Sequence, residues 1–190
     1  MSAIVTEEKR ALRAHVRAET EALGKETRRA SDQALLARAL SLPVLAAAQT
    51  VLLFYGVGIE PRTAPLISAL LAAGKTVALP RCLPDRGMEA RRIFDLDGLR
   101  PGAYGIPEPP PACPVLPKEV LDLILVPALC CDKSGYRLGQ GGGYYDRYLE
   151  HYKGGTAALC RDALLRDELP REPHDRPVAL VVTETRLFRA

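Results

Sequence analysis

Leu121-Asp122-Leu123-Ile124-Leu125-Val126 is the most apolar strand-like run in the chain. It leads through Pro127 and a polar segment into Arg137-Leu138-Gly139-Gln140-Gly141-Gly142-Gly143-Tyr144-Tyr145-Asp146-Arg147-Tyr148-Leu149. A continuous apolar run, rather than an alternating one, marks a strand covered on both faces. The polar glycine-rich loop after it, followed by a helix over 144–152, gives a strand–loop–helix unit. Shorter apolar runs with the same character occur at Val51–Tyr55, Thr76–Leu79, Ala157–Cys160 and Val178–Val182. Strands of this kind alternating with helices predict an α/β fold with a mostly parallel central sheet flanked by helices. In such sheets ligands bind beyond the carboxyl ends of the strands, so the loops after residues 55, 81 and 127 are the ones to inspect.

The remaining elements follow from periodicity and punctuation. The first forty residues are rich in Ala, Leu, Arg and Glu and contain no proline. They read as two helices with a break near Gly24, ending before Pro43. Pro61 is expected to start a helix with Leu66, Ile67, Leu70 and Leu71 on its apolar face and Gly74 closing it. Met88–Asp95 reads as a strand leaving the main layer. The seven prolines between residues 100 and 118 predict an extended loop. No internal repeat or long linker divides the chain, so residues 1–190 are expected to form a single domain.

Composition narrows the function classes. In 190 residues, 26 Lys and Arg oppose 23 acids, for a net charge of +3. That excess is too small to be a nucleic-acid footprint. Aromatics are only 5%, too few for stacking platforms along a single strand. No apolar run approaches the roughly 18 residues of a membrane span, and the N-terminus has no secretory apolar core. The expectation is a cytoplasmic monomer with no nucleic-acid or membrane partner. The five cysteines (82, 113, 130, 131 and 160) include no CxxC pair, and the adjacent Cys130 and Cys131, following an apolar strand, read as small buried hydrophobes. His15, His151 and His174 lack metal-site spacing.

Two segments invite a phosphate-binding reading. Ala73-Gly74-Lys75-Thr76 resembles the end of a GxxxxGK[ST] loop, but its first glycine would fall at Ala69, and a helix leads into a strand there; it is a helix cap. The loop at 139–143 differs. Its four glycines allow backbone N–H groups to approach an anion without Cβ interference, next to the positive end of a helix dipole. Arg137 and Arg147 flank it, and a guanidinium holds phosphate in bidentate fashion. Asp146 at the helix start suits a metal ligand or a complement to the dipole. The loop misses the dinucleotide fingerprint, because the last GxGxxG position is Tyr144.

The segment Arg137–Leu149, preceded by Val126-Pro127 and Asp132, resembles the 5-formyltetrahydrofolate cyclo-ligase family. Further matching blocks are Lys9-Arg10-Ala11-Leu12-Arg13, Glu60 with Thr63, Gly105-Ile106-Pro107-Glu108-Pro109, and Leu169-Pro170 with His174-Asp175. The resemblance implies a three-layer, Rossmann-like fold of the NagB/RpiA/CoA-transferase type. It also implies an activity: ATP-dependent cyclisation of 5-formyltetrahydrofolate to 5,10-methenyltetrahydrofolate, with Mg2+ as cofactor and ADP and phosphate released through a phosphorylated formyl group.

The same resemblance implies roles. The segment Lys9, Arg10, Ala11, Leu12 and Arg13, together with Arg137, Leu138, Gly139, Gln140, Gly141, Gly142, Gly143, Tyr144 and Tyr145, would bind ATP. Tyr55, Glu60, Gln140, Gly141, Gly142, Gly143 and Tyr144 would bind the folate. Arg137, Tyr144 and Tyr145 would be catalytic, and Asp146 and Asp175 would hold the metal. Relatives often carry a basic residue in the glycine loop, where this chain has Gln140 and Gly142. The expected substitutes are Lys133 or Arg147. A catalytically idle folate- or nucleotide-binding relative, and a nucleic-acid-binding protein using the basic first helix, are the rival readings.

Overall fold

The computed structural model describes residues 2–190. Helix α1 (Ser2–Ala22) and helix α2 (Gly24–Leu40) meet at Gly24, whose φ of +72° is readily adopted only without a side chain. Pro43 ends that helical region as expected but also starts a short helix, α3 (Pro43–Ala47), because a missing N–H costs nothing in a first turn. Strand β1 (Thr50–Leu52) is shorter than its apolar run. Beyond it the Phe54 carbonyl accepts the Thr63 hydroxyl at 2.5 Å, and the Gly56 N–H donates to the Thr63 Oγ1 at 2.9 Å. Those bonds draw the chain off the sheet and delay helix α4 (Ala64–Ala72), which starts after Thr63 rather than at Pro61.

Strand β2 (Thr76–Cys82) pairs antiparallel with β3 (Met88–Ile93), from Val77 opposite Ile93 to Cys82 opposite Met88. Thus β3 stays in the main sheet instead of leaving it. The proline-rich segment is not wholly loop. Strands β4 (Arg100–Pro101) and β5 (Pro107–Glu108) form a small hairpin, and β6 (Val115–Leu116) pairs with β3. Prolines are accommodated there because these are edge positions. Next come β7 (Leu123–Val126), β8 (Cys130–Asp132), β9 (Arg137–Leu138) and helix α5 (Tyr144–Tyr148), which stops short of Tyr152. Strands β10 (Gly155–Leu159), β11 (Leu165–Arg166), β12 (Leu180–Val182) and β13 (Leu187–Arg189) complete the chain.

The main sheet runs β13-β12-β10-β7-β1-β2-β3-β6, with β12, β10, β7, β1 and β2 parallel and antiparallel strands at both edges. Alternate residues of β7 separate the two cores. Leu123 and Leu125 pack with Leu35 and Ala39 of α2 and with Leu66, Ile67 and Leu70 of α4. Ile124 and Val126 face the other way, toward Val16 of α1 and the small sheet β11-β8-β9. Cys130, Cys131 and Cys160 are buried on that second face as small hydrophobes. The architecture is therefore a mostly parallel sheet between helical layers, as expected. No helix among the described residues is long and apolar enough to cross a membrane. From β1 the chain proceeds to β2 on one side and returns to β7 on the other, so a crevice opens beyond the carboxyl ends of β1 and β7.

Candidate active site

A cleft of about 630 Å³ occupies that crevice. One wall is α1, whose Lys9, Arg13 and Arg17 recur at intervals of four and therefore share a face. Opposite them lies the glycine loop. Arg13 Nε donates to the Gly139 carbonyl at 2.9 Å, and Arg17 Nη2 donates to Gln140 Oε1. Gly141 has φ +98° and Gly143 φ +68°; Gly143 caps α5. A Cβ at Gly141 would lie 3.3 Å from the Arg13 guanidinium. Gly141→Ala is therefore expected to cost about 1–3 kcal/mol in urea unfolding, through left-handed strain, and to displace Arg13 from the loop.

The floor near β1 carries Glu60, only 7% exposed. Its Oε1 accepts Gln140 Nε2 at 3.1 Å and its Oε2 accepts the Val57 N–H at 3.3 Å. Burial raises its carboxyl above the usual glutamate range, against the opposing pull of those hydrogen bonds. Tyr145 lines the same cleft, and its hydroxyl is buried with no partner among the described residues. Burial drives that phenol far above the usual tyrosine value, so at neutral pH it is a donor. Tyr144 meets Tyr104 edge-on, with hydroxyls 3.3 Å apart, and that contact pushes its phenol up to about 12.

The third side is the turn 172–176. Lys9 Nζ reaches Glu172 Oε2 at 3.0 Å and Asp175 Oδ2 at 2.6 Å. Arg137 Nη2 donates to Asp146 Oδ1 at 2.9 Å, and its Nη1 donates to the Arg176 carbonyl. The Arg176 N–H returns a bond to Asp146 Oδ1 at 3.3 Å. Three carboxylates and two cations thus gather where α1, the loop, α5 and the turn meet.

The sequence profile of the 5-formyltetrahydrofolate cyclo-ligase family matches residues 5–184. The chain belongs to the 5-formyltetrahydrofolate cyclo-ligase family. A cyclo-ligase of Mycolicibacterium smegmatis is 42% identical over 149 residues, covering 73% of this chain and 75% of that protein. One from Escherichia coli is 34% identical over 182 residues, covering 91% and 98%. The solved structure of Aquifex aeolicus 5,10-methenyltetrahydrofolate synthetase superposes with a TM-score of 0.85 at 32% identity, covering 95% of this chain and 92% of that one.

Of the residues the family resemblance singled out, the cleft gathers Lys9, Arg13, Tyr55, Glu60, Arg137–Asp146 and Asp175. Arg10, Ala11 and Leu12 lie outside it. Arg10 is exposed and pairs with Glu7 at 2.7 Å, while Ala11 and Leu12 face a shallow groove on the far side of α1. One helix face cannot present five successive residues. Lys133 does not line the cleft and pairs with Asp167 at 2.6 Å; Arg147 donates to the Gly142 carbonyl at 2.7 Å. Arg147 is thus at the loop, and so is Arg17, which donates to Gln140; sequence reading missed Arg17 although its spacing of four from Arg13 was visible. Asp132, outside the cleft, is fully buried and accepts the N–H groups of Ser134, Tyr136 and Leu169, which fixes the turn leading into the loop.

Proposed function

We propose that this cleft converts 5-formyltetrahydrofolate and ATP into 5,10-methenyltetrahydrofolate, ADP and phosphate. The observation that carries the reading is the convergence, in one cleft, of a basic helix face, a four-glycine loop and a buried carboxylate. The first two suit a triphosphate. The third suits the paired N–H donors of a pterin. The unpartnered Tyr145 hydroxyl supplies a donor that a ligand would satisfy.

In this reading Lys9, Arg13 and the backbone of Gly139–Gly143 hold the triphosphate, with the guanidinium of Arg137 beside it. Glu60 orients the pterin, and Tyr55 and Tyr144 line its pocket. The formyl oxygen attacks the γ-phosphorus and ADP departs. N10 then attacks the activated carbon, the C–O bond breaks, phosphate leaves with the former formyl oxygen, and the N10 proton is released. Such a sequence needs alignment and charge neutralisation more than a strong base. Tyr144 and Tyr145, held protonated, donate hydrogen bonds to the oxygens that gain charge.

No group of three or more His, Cys, Asp or Glu side chains among the described residues forms a metal cage. Magnesium carried on a triphosphate needs only one or two carboxylates, and Asp146 and Asp175 line the cleft on adjoining elements. The donor set fits a phosphate-borne ion, which Asp146 would hold, with Asp175 as a second ligand. When bound, magnesium neutralises the triphosphate and polarises the transferring phosphoryl group.

The decisive experiment follows the methenyl product by absorbance, with ADP and phosphate measured in step. Binding of either substrate without turnover would show an idle relative instead. Glu60→Gln is expected to weaken 5-formyltetrahydrofolate by about 1–3 kcal/mol, because a buried donor of the pterin loses its partner. Its stability should move the other way. A carboxyl raised by burial binds a proton more readily folded than unfolded, so its contribution falls as pH rises from the usual glutamate value through the raised one. Glu60→Gln removes that slope and should melt no lower than the parent at pH 7. Unchanged folate affinity would remove Glu60 from the pocket.

A further inference from the structure

Glu60 is tied to the opposite wall of the cleft through one side chain. Gln140 donates from Nε2 to Glu60 Oε1 at 3.1 Å, and its Oε1 accepts Arg17 Nη2. The amide orientation is forced, since a guanidinium only donates and an ionised carboxylate only accepts. One helical turn earlier, Arg13 Nε donates to the Gly139 carbonyl at 2.9 Å. Helix α1 therefore grips two consecutive loop residues, and the second grip continues into Glu60.

We propose that Gln140 is a positioning residue that couples the nucleotide and folate subsites, by holding Glu60 in a place set by α1 and the glycine loop. The inference rests on the functional reading above, with phosphates in the loop and the pterin on Glu60. A loop drawn onto a triphosphate carries Gln140 with it, and Gln140 carries the carboxylate it bonds. Glycine neighbours on both sides leave the loop free to make that adjustment. Other side chains break the chain of bonds. Lys or Arg at this position would neutralise Glu60 and offer nothing for Arg17 to donate to. Glu would set one carboxylate against another. Asn is a methylene too short for both contacts. Glutamine bonds Glu60 yet leaves its charge for the ligand's donors. Linkage makes the effect reciprocal: whatever the nucleotide does for folate binding, folate does for the nucleotide.

The test is calorimetric titration of 5-formyltetrahydrofolate into the whole protein, without nucleotide and with a saturating magnesium complex of the β,γ-imido analogue of ATP. In the parent the analogue is expected to tighten folate binding by about 5- to 20-fold, an ordinary coupling between sites. Gln140→Leu loses both hydrogen bonds and should reduce that ratio below about 2-fold; Arg17→Met, which cuts the link at α1, should reduce it in the same direction. Both positions are exposed, so folding is retained. In steady state Gln140→Leu should raise the folate KM by a larger factor than it lowers kcat. Equal ratios in parent and variants, a ratio of one in the parent, or a fall in kcat with the folate KM unchanged overturns the coupling. A parent that binds no 5-formyltetrahydrofolate at all overturns the functional reading, and the coupling with it.

Discussion

Asp146→Asn is expected to lower turnover roughly 100- to 1,000-fold and to move the magnesium titration to higher concentration, because in the proposed site Asp146 would hold a metal on the transferring phosphoryl group, a contact worth several kcal/mol. Both protein hydrogen bonds to this carboxylate recorded among the described residues fall on Oδ1, which leaves Oδ2 for a cation on the triphosphate. Asparagine keeps the size and one oxygen but loses the charge. Stability should also fall, since the Arg137 side chain is only 5% exposed and would lose its counter-charge. Melting temperature therefore does not discriminate, whereas the metal titration does. A variant of lower stability with normal turnover and normal magnesium dependence would make Asp146 a partner of Arg137 and a helix-dipole complement only.

Lys9→Met should show a double effect. The ammonium is 2.6 Å from Asp175 and 3.0 Å from Glu172, and the side chains of all three are between 10% and 17% exposed. Removing the cation leaves two largely buried carboxylates facing each other, at an expected cost of about 2–4 kcal/mol in urea unfolding. In the proposed site ATP would lose a charge-assisted contact as well, so its affinity should fall by roughly 10- to 100-fold, at about 1.5–3 kcal/mol per such bond. The two losses need not match. If ATP affinity survives while stability collapses, Lys9 serves the turn 172–176 and not the nucleotide.

The parallel centre of the sheet was legible because its strands are buried on both faces and therefore apolar throughout, as at Leu123–Val126. The antiparallel edges were not. Val115–Leu116 and Leu187–Arg189 are short and half-exposed; the first is a strand only because it pairs with Ala90 and Arg91 of β3, and the second because it folds straight back on β12, and neither carries a strand pattern of its own. In the small sheet, Cys130–Asp132 and Arg137–Leu138 form a local hairpin, and the distant partner Leu165–Arg166 completes it. At the site, the glycine loop and Glu60 could be picked out from residue type and family resemblance. Arg17 could be found only by extending the row from Lys9 and Arg13 by one more turn. The engagement of Asp146 with Arg137, and of Asp175 with Lys9, depends on how the turn 172–176 folds back. Nothing in that segment's own composition announces it.

The proline-rich stretch also bears on how the molecule behaves in a crowd. An exposed sheet margin is a template on which a stray chain can continue the ladder, and long flat margins invite fibrous growth. Here β6 ends one side of the sheet after Val115 and Leu116, with Pro114 before it and Pro117 after it. Prolines lack the N–H that a newcomer would need. The opposite margin, β13, is three residues long and ends at the exposed Arg189, whose positive charge discourages stacking of like chains. The apolar parallel core is thus bordered by strands too brief and too poorly furnished with donors to recruit a neighbour.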